Sequence, residues 1–237
     1  MLPIKDLNKT FTTPHVNRML LITNILIFTI YWLSSINIFF NPQLAGYFEQ
    51  NFVMIPSQIL NGQRLYTLFT SMFMHASWLH LLGNMLYLYV FGDNVEDVFG
   101  HAGYLIFYIV SGVAAAYAYI FTTAFAPVIT SYTGIPIPSD LTIGLLGASG
   151  AISGVLGAYL VLYPKSMVLT FVLYFLLPIP AILFLGIWFL LQWLDGFLNA
   201  ASGVAYYAHI GGFIIGMILA LTIGLRRKKA LKARHRL

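Results

Sequence analysis

Two side chains in this sequence could together make and break an acyl bond: Ser149, within Gly147-Ala148-Ser149-Gly150, and His209, within Ala208-His209-Ile210-Gly211-Gly212. A serine hydroxyl is a poor nucleophile until a base takes its proton, and imidazole is the side chain suited to that near neutral pH. Glycines on both sides of Ser149 let the backbone turn tightly and let a substrate come close. A helix opening at Ser149 adds unpaired N–H groups and a positive dipole end, which suit a developing oxyanion. His80 and Asn84 are four apart and project from one helix face, two neutral donors able to hold that oxygen. Blander readings stay open at this point. Gly150 with Gly154, and Ser153 with Gly157, are spacings that also serve helix packing in membranes, and an intramembrane histidine can simply hydrogen-bond a neighbouring helix. A metal at His75, His80 and His209 fits poorly, since there is no H-E-x-x-H, no thiolate, and no carboxylate near them except Asp195 and Asp140. We expect no metal and no cofactor.

The elements that must position these groups follow from composition. The chain has 237 residues, of which 59% are hydrophobic and 8% charged, and no cysteine. Such a chain is built for lipid. The lack of cysteine excludes a disulfide framework, a thiolate zinc site and a cysteine nucleophile. Most of the formal charge of +5 sits in Arg226 to Arg236, directly after an apolar segment, which reads as a membrane-surface anchor and not as a nucleic-acid footprint. Apolar runs at 17–39, 78–92, 102–123, 149–163, 167–194 and 205–225 predict six spans. The expected fold is thus an all-α polytopic membrane protein with one domain over 1–237: an N-terminal segment 1–16, a six-helix core 17–225 and a basic tail 226–237. The first apolar run is too long for a signal-peptide core and is expected to be retained. Lys5, Lys9, Arg18, Lys165 and the tail fall on one side and only Arg64 on the other, which places both termini in the cytoplasm and suits the plasma membrane of a microbe. The connections 40–77 and 124–148 are long enough to be functional.

The fourth span is the odd one. From Ser149 to Pro164 it covers roughly 22 Å at 1.5 Å per residue, too little to cross a bilayer. Its beginning must stop below the surface, beside protein or a wet cavity. His209 lies about 25 Å above Arg226 and Ser149 about 24 Å above Lys165, so the two share a depth. Gly212 and Gly216 lie on the His209 face of the last span and invite close packing there. A small transporter with a broken helix and a histidine path is a competing reading of the same features.

Met74-His75, Trp78-Leu79-His80-Leu81-Leu82-Gly83-Asn84, Gly147-Ala148-Ser149-Gly150 and Ala208 to Gly212, in that order, resemble the rhomboid family of intramembrane serine proteases. The resemblance implies a six-helix bundle in which Ser149 is the nucleophile and His209 its general base. It implies an oxyanion hole of His80, Asn84 and the Ser149 backbone N–H, with Gly147, Gly150 and Gly212 as structural motif positions. His75 would be structural in the first loop, and Glu96, in Asn94-Val95-Glu96, the structural acid at the cytoplasmic end of helix two. Implied partners are transmembrane protein substrates entering between helices two and five, with the lipid bilayer as medium. The alternative is an inactive relative that binds membrane clients; such relatives usually lack the serine or the histidine, and both are present. Two positions depart from the family pattern. Tyr66-Thr67 stands where many members have Trp-Arg, with Arg64 slightly upstream, and Ser153 stands where many have an aromatic able to stack on the histidine. An aromatic from helix two or five is expected in its place, and Asp195 is a candidate to orient His209, unless it is simply a loop charge.

Overall fold

In lipid no water satisfies a free N–H or C=O, so long apolar runs close their hydrogen bonds internally as helices. The computed structural model describes residues 1–38, 40–134, 136–198 and 204–234. In chain order its elements are β1 (Leu2–Asp6), α1 (His15–Ser35), α2 (Pro42–Phe52), α3 (Pro56–Leu60), α4 (Thr67–Thr70), α5 (Trp78–Phe99), α6 (His101–Thr133), α7 (Ser149–Leu162), β2 (Met167–Val172), β3 (Phe175–Pro180), α8 (Ala181–Leu198), α9 (Tyr206–Leu219) and α10 (Leu225–Arg234). A π-helical turn at Ala220–Gly224 joins α9 to α10. Among the described residues four helices are long and apolar enough to cross a membrane: α1, α6, α8 and the run from Tyr206 to Arg234. The other two expected spans are α5, whose last turns carry Asp93, Glu96 and Asp97, and the 14-residue α7. Of the expected basic tail, Arg236 lies outside the described residues.

Two expectations are corrected. The fold is mostly helical and not all-α, because β1, β2 and β3 form an antiparallel sheet in that order. The expected span 167–194 is a hairpin followed by α8. Met167 to Val172 is rich in β-branched and aromatic residues, which favours a strand. Pro178 and Pro180 bar a helix until Ala181, and β3, which holds both, is an edge strand, where prolines are tolerated. Val168 and Thr170 face inward while Met167 and Phe171 are exposed, the period-two alternation of a half-buried strand. The partner strand β1 comes from the N-terminal segment, with Leu2 opposite Phe171 and Asp6 opposite Val168. The expected third span also runs longer than 102–123, through Pro127 to a left-handed cap at Gly134.

α7 stands at the centre. Every residue from Ala151 to Tyr159 is buried, and α5, α6, α8 and α9 pack around it. Its tightest neighbour is α9, because glycine removes every atom between the two backbones. A Cβ at Gly212 would collide with the Gly150 carbonyl oxygen, one at Gly216 with that of Gly154, and one at Gly157 with that of Phe213. Close approach of this kind is how helices associate in lipid, where burying apolar surface gains little.

The N-terminal segment is tied to the far end of α5. Glu96, 0% exposed, accepts hydrogen bonds from the Val16 N–H at 2.9 Å and the Asn17 N–H at 2.7 Å, two of the orphan donors at the start of α1. His101 Nδ1 lies 2.5 Å from the same carboxylate. Asp97 accepts from the N–H groups of Phe11 and Thr12 at 3.1 and 2.8 Å. Asp6 accepts from Tyr159 Oη and Asn94 Nδ2, each at 2.8 Å, which joins β1 to α7 and α5.

Candidate functional site

The loop before α7 is fixed by the first long connection. Met54 and Leu145 exchange backbone hydrogen bonds of 3.1 and 2.7 Å, Ser57 N–H donates to the Leu141 carbonyl at 3.0 Å, and Gly147 N–H donates to the Ser71 carbonyl at 2.9 Å. Within that connection Arg64 ties the chain together: Nη1 donates to Gln58 Oε1 at 3.3 Å, Nη2 donates to the Gln50 carbonyl, and the guanidinium lies 5.9 Å from the centre of the Tyr66 ring. Arg64, three residues before Thr67, thus anchors the connection in which Tyr66-Thr67 replaces the family's Trp-Arg.

Gly147 has φ +121°, a conformation side chains rarely adopt. A Cβ there would also stand 2.7 Å from His80 Nε2 and 3.7 Å from Ser149 Oγ, so the glycine keeps open the space between them. Gly150 follows the packing reading of the sequence. Its missing side chain makes room for Ala115 of α6, and its carbonyl meets Gly212, so it serves packing and not the approach of a substrate.

With α7 and α9 in contact, Ser149 Oγ lies 2.8 Å from His209 Nε2. The other ring nitrogen, Nδ1, is 2.6 Å from Gln192 Oε1 on α8. An amide oxygen only accepts, so Nδ1 carries the proton and Nε2 offers its lone pair to the serine O–H. Trp188, one turn before Gln192, lies with its ring centre 6.3 Å from that of His209, and Tyr206 meets the imidazole edge-on at 6.5 Å. Neither Gln192 nor Trp188 was singled out from the sequence. Gln192 is an uncharged polar residue in an otherwise apolar stretch, where such groups need a partner, but the sequence does not say that the partner is His209. The contact to Nδ1 comes from Gln192, not from Asp195. The aromatic beside the imidazole is Trp188 of α8, whereas Ser153 Oγ donates to the Ser149 carbonyl at 2.7 Å.

Ser149, His209, Gln192, Trp188, His80 and Asn84 all line one cavity of about 810 Å³. Asn84 Nδ2 is buried there with no hydrogen-bond partner among the described residues. A buried donor left unpaired costs roughly 1–3 kcal/mol, so its retention beside the serine points to a ligand oxygen. His75 is 2% exposed and lies edge-on behind His80, ring centres 5.0 Å apart. Among the described residues no three His, Cys, Asp or Glu side chains converge as metal ligands do. The arrangement of hydroxyl, oriented imidazole and free donor around one hollow is suited to acyl transfer.

Comparison with known proteins adds an independent finding. The family model described as the Rhomboid domain matches residues 62–226, a range that holds every residue of this cavity. A curated relative, rhomboid-like protein 11, chloroplastic, of Arabidopsis thaliana, is 38% identical over 88 residues, which is 36% of this chain and 30% of that protein. The match therefore spans less than a third of the relative's length.

Proposed function

The chain belongs to the rhomboid family, and from that premise we propose that it is an intramembrane serine endopeptidase cleaving transmembrane segments of other membrane proteins. The observation that carries this reading is the 2.8 Å contact of Ser149 Oγ with His209 Nε2 inside a cavity walled by apolar helices. In the proposed reaction His209 Nε2 takes the hydroxyl proton as Ser149 Oγ attacks the peptide carbonyl carbon. The carbonyl electrons move onto oxygen, which Asn84 Nδ2, His80 and the Ser149 N–H stabilise. His209 returns its proton to the departing amine, and the C–N bond breaks. Water then repeats the sequence on the acyl-serine, with the same imidazole as base, and frees the enzyme. Gln192 holds the ring and its tautomer throughout. An intact helix hides its carbonyls in its own hydrogen bonds, so substrates carry helix-weakening residues near the cut. We place both termini in the cytoplasm and the protein in the cell membrane, on the distribution of Lys and Arg.

The test is cleavage of a fluorescent transmembrane substrate by purified protein in detergent. Wild type should cleave it, Ser149→Ala and His209→Ala should each lower kcat by at least about 10³-fold, and a chelator should change nothing. Cleavage surviving Ser149→Ala sinks the assignment, and a wild type that only binds the substrate identifies an inactive client-binding member.

A further inference from the structure

A second cavity, of about 460 Å³, opens at the end of α7 remote from Ser149. Lys9, Lys165, Lys228 and Lys232 line it, and no Asp or Glu is among its lining residues. The lysines arrive from three separate stretches: the segment after β1, the turn between α7 and β2, and α10. Lys228 is fixed in place, its Nζ donating to the Leu162 carbonyl and lying 3.6 Å from the centre of the Tyr163 ring. Among the described residues none of the four has a carboxylate within salt-bridge distance. Like charges gathered at one hollow repel each other, an arrangement that an incoming anion relieves.

The surroundings select the anion. Phe11, Tyr163 and Leu231 line the same hollow, and the neighbouring hairpin leaves Met167, Phe171 and Phe175 exposed. The cavity also stands where the apolar α9 gives way to the basic α10, the height at which hydrocarbon gives way to headgroups. A free phosphate gains nothing from apolar neighbours, whereas a phospholipid sets its phosphate among the lysines and its acyl chains along the aromatic and aliphatic side chains. We propose that this cavity binds the phosphate of an anionic phospholipid headgroup. The site lies apart from Ser149 and His209, so it stands whether or not the protein is a protease.

The full chain, reconstituted with phosphatidylcholine and phosphatidylglycerol, tests this by native mass spectrometry of the lipid retained. Wild type and Ser149→Ala should both hold phosphatidylglycerol in preference to phosphatidylcholine. The double change Lys165→Gln with Lys232→Gln should weaken that binding by roughly fivefold per lysine. Arg226→Gln with Lys229→Gln, which removes the same charge from outside the cavity, should leave it intact, and Lys165→Arg with Lys232→Arg should keep both fold and binding. Equal loss in both neutralised pairs, or loss in neither, overturns the proposal. Inorganic phosphate held as tightly as phosphatidylglycerol overturns it too, since the acyl chains then contribute nothing and the ligand is a free anion.

Discussion

At the scale of single residues, the cavity puts a hydroxyl and an imidazole at hydrogen-bond distance and surrounds them with groups of unequal duty. Among the described residues the hydrogen bond of the Gln192 side chain goes to the far nitrogen of His209, so removing its oxygen frees the ring to turn, while a leucine of similar size keeps the cavity wall in place. We expect Gln192→Leu to lower kcat about 10–100-fold, the worth of one hydrogen bond to a group that becomes charged, with little change in KM. In the proposed reaction Asn84 donates to the oxyanion, so Asn84→Ala should cost about 10²–10³ in kcat with KM again nearly constant. Steady-state kinetics on a transmembrane substrate separates these effects from a binding defect, which would raise KM instead. The shared depth of Ser149 and His209 was legible from residue counting alone, because helical rise converts sequence distance into height. Gln192 was not, since nothing in the sequence says which side of α8 faces the imidazole.

At the scale of elements, the contact of α7 with α9 decides whether the two groups meet at all. Gly216 sits one turn beyond Gly212, against the Gly154 carbonyl, and has no room for a methyl group. Gly216→Ala should therefore lower the melting temperature by an amount equivalent to about 1–3 kcal/mol and reduce activity through the lost registry. Gly186→Ala, on α8 with nothing within 4 Å of the added carbon, should leave both unchanged or slightly raised. Thermal unfolding in detergent reads both. The glycine spacing was visible in the sequence, where it was weighed as a packing motif against a nucleophile motif. In the structure the packing is what delivers Ser149 to His209, so the two readings are not rivals. The hairpin was missed for a different reason: a long apolar run has no periodicity to separate buried strand from membrane helix, and only Pro178 and Pro180 marked the break. β1 was missed because an exposed N-terminal strand is recognisable only with its partner in view.

At the scale of the whole molecule, the N-terminal segment, α5 and α7 are joined through carboxylates away from the cavity. Burial raises the Asp6 carboxyl above its ordinary value, a shift that its hydrogen bonds to Tyr159 and Asn8 only partly offset. The folded form therefore holds this proton more tightly than the unfolded chain does. Its contribution is full below the ordinary carboxylate range and is lost as pH rises through the elevated value. Asp6→Asn keeps an acceptor oxygen for Tyr159 and has nothing to ionise. Its melting temperature should match wild type in acid and exceed it near neutrality; a variant less stable at every pH would show that the charge itself is needed.

The 14-residue α7, only about 21 Å from end to end, has a consequence for where the proposed protease would cut a client. The reacting oxygen is surveyed from the lysine-rich floor of the protein and not from the opposite leaflet. In a bilayer of longer acyl chains the far headgroups recede while the oxygen keeps its distance from that floor. Under the proposed activity the severed bond then holds its position relative to one boundary of the client and drifts relative to the other, a fixed-height ruler standing in a medium of variable thickness.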